Sequence, residues 1–593
     1  MAQFRYLGPD QPDTRFHDGA LRPVIGAHSV QVMRANRAHP ELAQGLPYTY
    51  NHAPMLCRWR GWLYLMYLTS PVHEHGGLGR AMITRSRDGY EWEFPRTLFP
   101  EIPVPPGVYR GPGAEKLPEN ALSVAHHRMG FFTAKNGALL AMTFHGVCPD
   151  IHKPPNSGWG MGRVVRRVRE DGSLGDIHVL RVNAAAGWRP EDFPYTRFED
   201  SADADFRDAC RELLADKLAR CGWWEEERLD EDFFPLKGMK APSLCPLPDG
   251  RVAAIGKHGL TAVTGDGGVS WSPLERVEGL YTSTGKCAMA RTGDGRTMIA
   301  CNPSPDGQHR WPMAVLTSED GFTYRGMGCA EGELPPVRYG GMLKNLGMNY
   351  VRDIMPGNDD APDGNTWLAF SMNKEDIWAL RLPETIETQE CRSVREDFSQ
   401  MTGPLPERWT VHSPLWAGVR LEDGCLALRD ADPYDCAVAT RAFPTAARVR
   451  VRFTLRAEGL QNGRLFADIA DARGMLACRL RLERDGRVLL RGGNGLAEVG
   501  TCREGEWISV EMEANCPGQR VRASIDGVAC PWQPLMMPTG MVERFTLRTK
   551  PKRATPTAED DLRGVWPPDL EKAGERAAEA VFRLGRFETE EGY

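Results

Sequence analysis

Histidine, tyrosine and arginine gather in the first part of this chain at positions from which they could move protons beside a carboxylate. The run Tyr48-Thr49-Tyr50-Asn51-His52-Ala53-Pro54 is followed, after a strand-like stretch from Trp62 to Leu68, by Pro71-Val72-His73-Glu74-His75. Imidazoles that flank one strand sit in loops or at strand ends, where β proteins build their sites. Two further clusters follow: Ala125-His126-His127-Arg128-Met129-Gly130-Phe131-Phe132 leads through a hairpin to Phe144-His145-Gly146, and Gly160-Met161-Gly162-Arg163-Val164-Val165-Arg166-Arg167 comes after it. An imidazole takes or gives a proton near neutrality, and an arginine beside a glycine-rich turn can hold a carboxylate with a two-pronged fork. The bland counterparts are a hydrogen-bonded structural histidine and, for Arg163, a solvated strand face. His73-x-His75 and His126-His127 are also of metal-ligand type, but no spaced cysteine pair completes a zinc signature. No cofactor is expected, and a structural metal ion stays open.

The elements that must position these groups are short strands joined by tight turns. Thr264, Asp266, Gly268, Ser270 and Trp271 fit S/T-x-D-x-G-x-S/T-W, the Asp-box, whose aspartate caps a hairpin turn and whose tryptophan packs between strands. Shortened variants occur at Ser86, Asp88, Gly89, Trp92 and at Ser318, Asp320, Gly321, Tyr324. Such boxes resemble those of sialidase-like propellers, and three related turns argue for repeated blades. Hairpins are predicted after Asn136-Gly137 (strand 138–144) and after Asp249-Gly250 (strand 251–255). One segment, about 202–228, has apolar residues at helical spacing (Phe206, Cys210, Leu213, Leu214, Leu218) and predicts an amphipathic insert between blades.

After Leu382-Pro383 the pattern changes to strands in which apolar residues alternate with Arg or Glu: 447–455, 476–482 and 507–512. One buried and one wet face imply a β-sandwich. The fold class is therefore all-β, a propeller with a C-terminal β-sandwich. The expected divisions are an N-terminal segment 1–22, the propeller 23–385 with its helical insert, the sandwich 397–556, and a tail 557–593 with a short helix from Asp569 to Phe582.

Composition agrees with an all-β chain of several domains: 593 residues with 62 Gly, 45 Pro and 16 Trp. A formal net charge of −6 gives no support to nucleic-acid or membrane-surface partners. No run reaches the apolar length of a membrane span, and Met1-Ala2-Gln3-Phe4-Arg5 lacks the apolar core of a secretory signal. The 15 cysteines, without CxxC pairs, read as free thiols of a reducing compartment. The expected location is cytoplasmic, or exported if a leader was removed. The oligomeric state is not legible.

The strings Asn51-His52-Ala53-Pro54, His127-Arg128-Met129-Gly130-Phe131-Phe132, Gly162-Arg163-Val164-Val165-Arg166-Arg167 and Ser371-Met372-Asn373-Lys374-Glu375-Asp376-Ile377-Trp378 resemble, in this order, those of propeller enzymes that include ulvan lyases, rhamnosyl-glucuronate lyases and an α-L-rhamnosidase family. The resemblance spans roughly Pro23 to Pro383 and implies a seven-bladed propeller. It also implies a site of two histidines, a tyrosine and an arginine. His52 matches the first histidine. The second falls on His73 by spacing and on His75 by the surrounding P-V-x-E-H. The arginine maps to Arg163, and the tyrosine to His145, where this chain reads F-H-G in place of F-Y-G. Tyr50, Asn51, His127 and Arg128 are the substrate-binding candidates.

On this reading the chain is a polysaccharide lyase acting by β-elimination on uronate-containing glycans such as rhamnosyl-glucuronate. Arg163 neutralises the carboxylate, His52 or His73 takes the C5 proton, and His145 donates to the leaving oxygen. The first alternative is an exo-acting glycoside hydrolase, rhamnosidase-like, which would ordinarily use two carboxylates; Glu74, Asp88 and Asp353 are available. The second is a non-catalytic glycan-binding protein using aromatics such as Trp59, Trp62, Tyr64 and Trp311. The partner in every case is an oligosaccharide or polysaccharide.

Overall fold

A computed structural model describes residues 3–592 except 76–77, 108, 112–114, 118, 150–151, 225–232, 355–363 and 553–567. Three separate four-stranded antiparallel sheets follow one another along the chain. The first blade comprises Tyr50–Trp59, Trp62–Ser70, Arg80–Ser86 and Arg96–Phe99. The second comprises Ser123–Thr133, Leu139–Val147, Gly160–Val168 and His178–Val182, and the third Ser243–Pro246, Val252–Ile255, Leu260–Thr264 and Glu275–Arg276. The fourth, Ala288–Arg291 to Thr323–Glu331, gains a fifth strand because Arg5–Tyr6 pairs in parallel with Thr323 and Tyr324. A fifth unit, Met348–Asp353, Thr366–Met372 and Asp376–Leu382, is completed from the other end of the chain by His28–Met33. Five blades, not the seven implied by the resemblance, are thus formed among the described residues.

Second strands such as Trp62–Ser70 and Leu139–Val147 are buried almost throughout, as blades packed on both faces require. The Asp-boxes occupy equivalent places, between third and fourth strands of the first, third and fourth blades. In each, one carboxylate oxygen gathers the turn: Asp266 Oδ1 accepts from the Thr264 hydroxyl at 2.8 Å and the Ser270 N–H at 2.9 Å, and Asp88 Oδ1 from the Tyr90 and Glu91 N–H groups at 2.8 and 2.9 Å. Gly89, at φ +81, brings its turn against the fifth blade; a Cβ there would lie 2.1 Å from the Trp367 ring.

The fifth blade runs on into the sandwich. Trp409–Ser413 pairs in parallel with His28–Met33, so one eleven-stranded sheet contains the last blade and one layer of the sandwich. The second layer has nine strands, and one large apolar core lies between the layers. At the centre of the second layer is Ala580–Glu591, paired with Cys425–Asp430 on one side and Arg448–Glu458 on the other. This corrects the expected tail with a terminal helix: among the described residues 568–592 there is no helix, and Phe582, Leu584 and Phe587 enter the core as strand residues. The expected N-terminal segment 1–22 is likewise not separate: in its described part, 3–22, Arg5–Tyr6 joins the fourth blade. Among its described residues the insert forms one helix, Ala204–Ala215, whose Asp203 cap accepts the Phe206 N–H at 3.0 Å.

Candidate active site

The inner strands of the first, fourth and fifth blades meet in the middle of the propeller. Two of them carry a bulge at the meeting point. In the first blade the register slips between His52 and Met55, with Ala53 at φ 51. In the fifth it slips between Asn349 and Arg352, with Tyr350 at φ 53. A bulge re-aims the residue beside it, and a tyrosine held in the left-handed region stores backbone strain of about 1–3 kcal/mol. His52 and Tyr350, both buried, face each other with ring centroids 4.2 Å apart. His52 is oriented from behind by Ser371, whose hydroxyl lies 2.8 Å from Nδ1.

Loops between the second and third strands of four blades surround this pair. The first blade supplies Glu74 and His75, the third Lys257, the fourth Arg310 and the fifth Lys374. The Lys374 ammonium lies 3.1 Å from Glu74 Oε2 and donates to the Leu343 carbonyl at 2.6 Å. Lys286 and Lys257 approach the Tyr350 ring to 4.5 and 5.0 Å. Arg310 is buried and donates to the Ser283 and Thr284 hydroxyls at 2.8 and 2.6 Å. Burial alone would push the Tyr350 phenol up, but Lys257 and Lys374 outweigh it together with the opposing field of Glu74, and its pKa is lowered from the ordinary tyrosine value. Tyr50, close by, goes the other way: burial and then Glu74 hold its pKa well above 10.

A cavity of about 490 Å³ opens between the second and third blades, walled by the insert. Ala53, Lys286 and Arg352 line it on the side of the central cluster, and Phe131, Met142 and Trp223 give it apolar walls. Arg352 is fixed by the Pro242 and Ala241 carbonyls at 3.0 and 3.1 Å. Among the described residues no group of three or more His, Cys, Asp or Glu side chains is placed to hold a metal ion.

The residues singled out from sequence take up separate positions. His52 lies in the central cluster. Asn51 locks the adjacent loop, donating from its amide to the Glu375 carbonyl at 2.7 Å and from its backbone to the Lys374 carbonyl at 2.8 Å. His75 sits near Glu74 and Lys374, its pKa lowered by burial first. His73 instead accepts the Met342 N–H at 3.1 Å, and its pKa is lowered by burial and by Lys344 and Arg37. His145 and Arg163 are on facing strands, but Phe144 pairs with Arg163 while His145 pairs with Gly162. Residues one register step apart point to opposite faces of a sheet. His145 is accordingly bonded to the Ser123 hydroxyl at 2.8 Å, with burial pushing its pKa down to about 4. The Arg163 guanidinium lies 4.2 Å from the Trp223 ring on the insert side. His145 and Arg163 therefore do not share a face of their blade. The side chains of His127 and Arg128 lie outside the described residues.

Of the carboxylates, Asp88 is spent on its Asp-box. Asp353 is buried, accepts the Ser243 hydroxyl at 2.8 Å and is pushed by burial up to about 7. Trp59 and Trp311 are buried and packed, not offered as sugar platforms. Tyr350, Lys257 and Lys286 were missed from sequence. Lys374 was in view only as part of Ser371–Trp378, a string whose place beside Tyr350 depends on a bulge that no local pattern announces.

With this geometry in hand, the chain can be set beside known proteins. Residues 2–240 match the family described as Beta-prop_BT_1020-like, N-terminal beta propeller, and residues 409–563 match Sialidase-like, CBM domain. A solved structure described as "Sialidase" is 35% identical, with a TM-score of 0.95, over 99% of this chain and 54% of that one. This chain thus spans about half the length of that protein. Trypanosoma rangeli sialidase in complex with sialic acid is 8% identical over 95% of each chain (TM-score 0.33), and Bombyx mori GH32 beta-fructofuranosidase 12% identical over 89% of this chain and 95% of that one (TM-score 0.29). Both are too distant for anything to be drawn from them. No curated protein matches the sequence. The chain is thus an all-β propeller followed by a β-sandwich, and its similarities, to a propeller family, to a sialidase-like CBM domain and to a structure described as a sialidase, are those of a carbohydrate-active protein.

Proposed function

We propose that this chain is a glycoside hydrolase acting on a sugar that bears a carboxylate, with Tyr350 as the nucleophile. The observation that carries this reading is the Tyr350 phenol itself: strained at φ 53, set against His52 at 4.2 Å, and lowered in pKa by Lys257 and Lys374. A phenol so placed attacks an anomeric carbon more readily than an ordinary tyrosine, and tyrosine nucleophiles are known among glycosidases. Glu74, whose charge reaches Tyr350, receives the phenolic proton; as the phenolic oxygen bonds to the anomeric carbon the glycosidic C–O bond breaks, the leaving oxygen takes a proton from water, and a second water then displaces Tyr350 from the glycosyl–enzyme and restores the phenol. Lys286 and Arg352, on the cavity wall, hold the substrate carboxylate. An acidic sugar as substrate also agrees with the 35% identical structure, which is described as a sialidase.

The same geometry keeps the elimination reading alive in altered form. In place of Arg163 and His145, the cations at the axis would neutralise a uronate, His52 would take the C5 proton and Tyr350 would protonate the leaving oxygen. The close His52–Tyr350 pair, with ring centroids 4.2 Å apart and planes tilted by 37°, favours it specifically. β-Elimination leaves an unsaturated uronate that absorbs in the near ultraviolet, and hydrolysis does not.

The test is to assay sialylated and uronate-bearing oligosaccharides for new reducing ends and for that absorbance, with Tyr350→Phe alongside. Hydrolysis predicts reducing ends without absorbance and a loss of at least about 100-fold in kcat for the variant. Absorbance that depends on His52 transfers the assignment to the lyase. Full activity in Tyr350→Phe overturns both, and a parent protein that binds these glycans without turning them over is a glycan-binding protein.

A further inference from the structure

The sandwich has chemistry of its own, far in sequence from the central cluster. Its strands Leu465–Ala470, Leu476–Leu482 and Arg487–Gly492 send Leu480, Leu482, Val488 and Leu490 into the core. The alternate positions face outward, and there the register sets Arg479 directly opposite Arg491 and Phe466 opposite Arg481. Like charges directly opposite each other on a sheet are destabilising unless something intervenes. A cavity of about 370 Å³ lies over this face, lined by Arg464, Arg479, Arg481, Arg484, Arg491 and Lys550.

Ion pairing divides these cations into those already held and those still available. Asp468 holds Arg479 through two bonds, 2.6 and 2.7 Å. Glu483 takes both Arg464, at 2.6 Å, and Arg481. Asp430 holds Lys550 at 2.5 Å, and Asp432, also on the rim, is committed to Arg34. Among the described residues every carboxylate at the cleft is therefore occupied, and neither Arg484 nor Arg491 has one. The Arg479 and Arg481 guanidiniums lie 5.2 and 5.9 Å from the Phe466 ring, which braces both forks.

We propose that this cleft binds a carboxylate-bearing saccharide, with Arg484 and Arg491 making the bidentate contacts and Arg479 and Arg481 as a fixed positive floor. Guanidinium forks match carboxylates in shape as well as charge. A concave, saccharide-sized site with uncompensated arginines selects acidic over neutral glycans. The cleft would hold an acidic polymer on the sandwich while the propeller acts elsewhere on it. It does not depend on the chemistry proposed for Tyr350.

The experiment titrates the full chain with a hyaluronan hexasaccharide and with its carboxyl-reduced, neutral counterpart, in parallel with Arg484→Ala/Arg491→Ala and Tyr350→Phe. The acidic oligomer should bind, the neutral one should not, and the double arginine variant should lose at least about tenfold in affinity. Both arginines are exposed, so the variant should melt as the parent does, and its turnover of a small soluble substrate should be unchanged. Binding by Tyr350→Phe should match the parent; its loss there would place the site on the propeller instead. Equal binding of the neutral oligomer, equal binding of duplex DNA as a polyanion without carboxylates, no binding at all, or an unaffected arginine variant each overturns the proposal.

Discussion

Arg34, at the edge of the propeller's last blade, meets Asp432 of the sandwich at 3.1 Å, and each side chain is only 1% exposed. The guanidinium also lies 4.1 Å from the Trp416 ring. Burial and then the nearby Arg338 lower the Arg34 pKa, so this charge is kept by its partners, not by water. Removing Asp432 strands a buried cation, and Asp432→Ala should cost about 3–5 kcal/mol. Arg34→Met/Asp432→Leu should cost less than Asp432→Ala alone. Thermal melts of the three proteins check the order.

The same junction predicts a pH dependence. His412 lies between Glu331 of the fourth blade and Asp435 of the sandwich, at 2.9 and 3.0 Å. Burial opposes its charge, the two carboxylates outweigh burial, and its pKa is raised well above 6.5. A histidine raised in the folded state stabilises fully below its unfolded pKa, and that contribution is lost as pH rises through the folded value. The melting temperature should therefore fall as pH is raised from 6 towards that value. His412→Leu should melt lower at pH 6 and show a flatter profile. An identical slope in the variant would remove His412 as the cause.

Lys257→Met tests the tuning of the central phenol. Lys257 is the leading force lowering Tyr350, so its loss should raise that pKa. The limb of the kcat/KM profile that rises with phenol ionisation should move to higher pH. Lys257→Arg should restore it. An unmoved limb would mean that the titrating group is not Tyr350.

What was legible in the sequence was whatever is written locally. The Asp-box at Thr264–Trp271 needs one aspartate and one turn, and it was found where it stands. Leu476–Leu482 was read to the residue, because apolar and arginine positions alternate there without a break. Blade number was not legible, since the fifth blade draws His28–Met33 from the far end of the chain. The tail misled for a related reason: Ala580–Glu591 interrupts its alternation at Gly585-Arg586, where its pairing with Arg448–Glu458 slips between Phe453 and Leu455. In the site, His52 was conspicuous for its residue type. Tyr350 was not, because its importance comes from lysines on other blades. Arg163 and His145 lie close along the chain, but one step of register decides which face each serves.

The position of Ala580–Glu591 also sets a timetable for synthesis. It lies between Cys425–Asp430 and Arg448–Glu458, two pieces made more than a hundred residues earlier, which cannot be joined in their final arrangement until this strand arrives. His28–Met33 waits in the same way, first for Asp376–Leu382 and then for Trp409–Ser413. Chain leaving a ribosome N-terminus first therefore exposes an open propeller edge and then an unfinished sandwich, and pairings of such long sequence separation form slowly. Edge protection during synthesis, by a chaperone or by the chain's own unfinished surfaces, is a requirement that this topology places on whatever cell makes the protein.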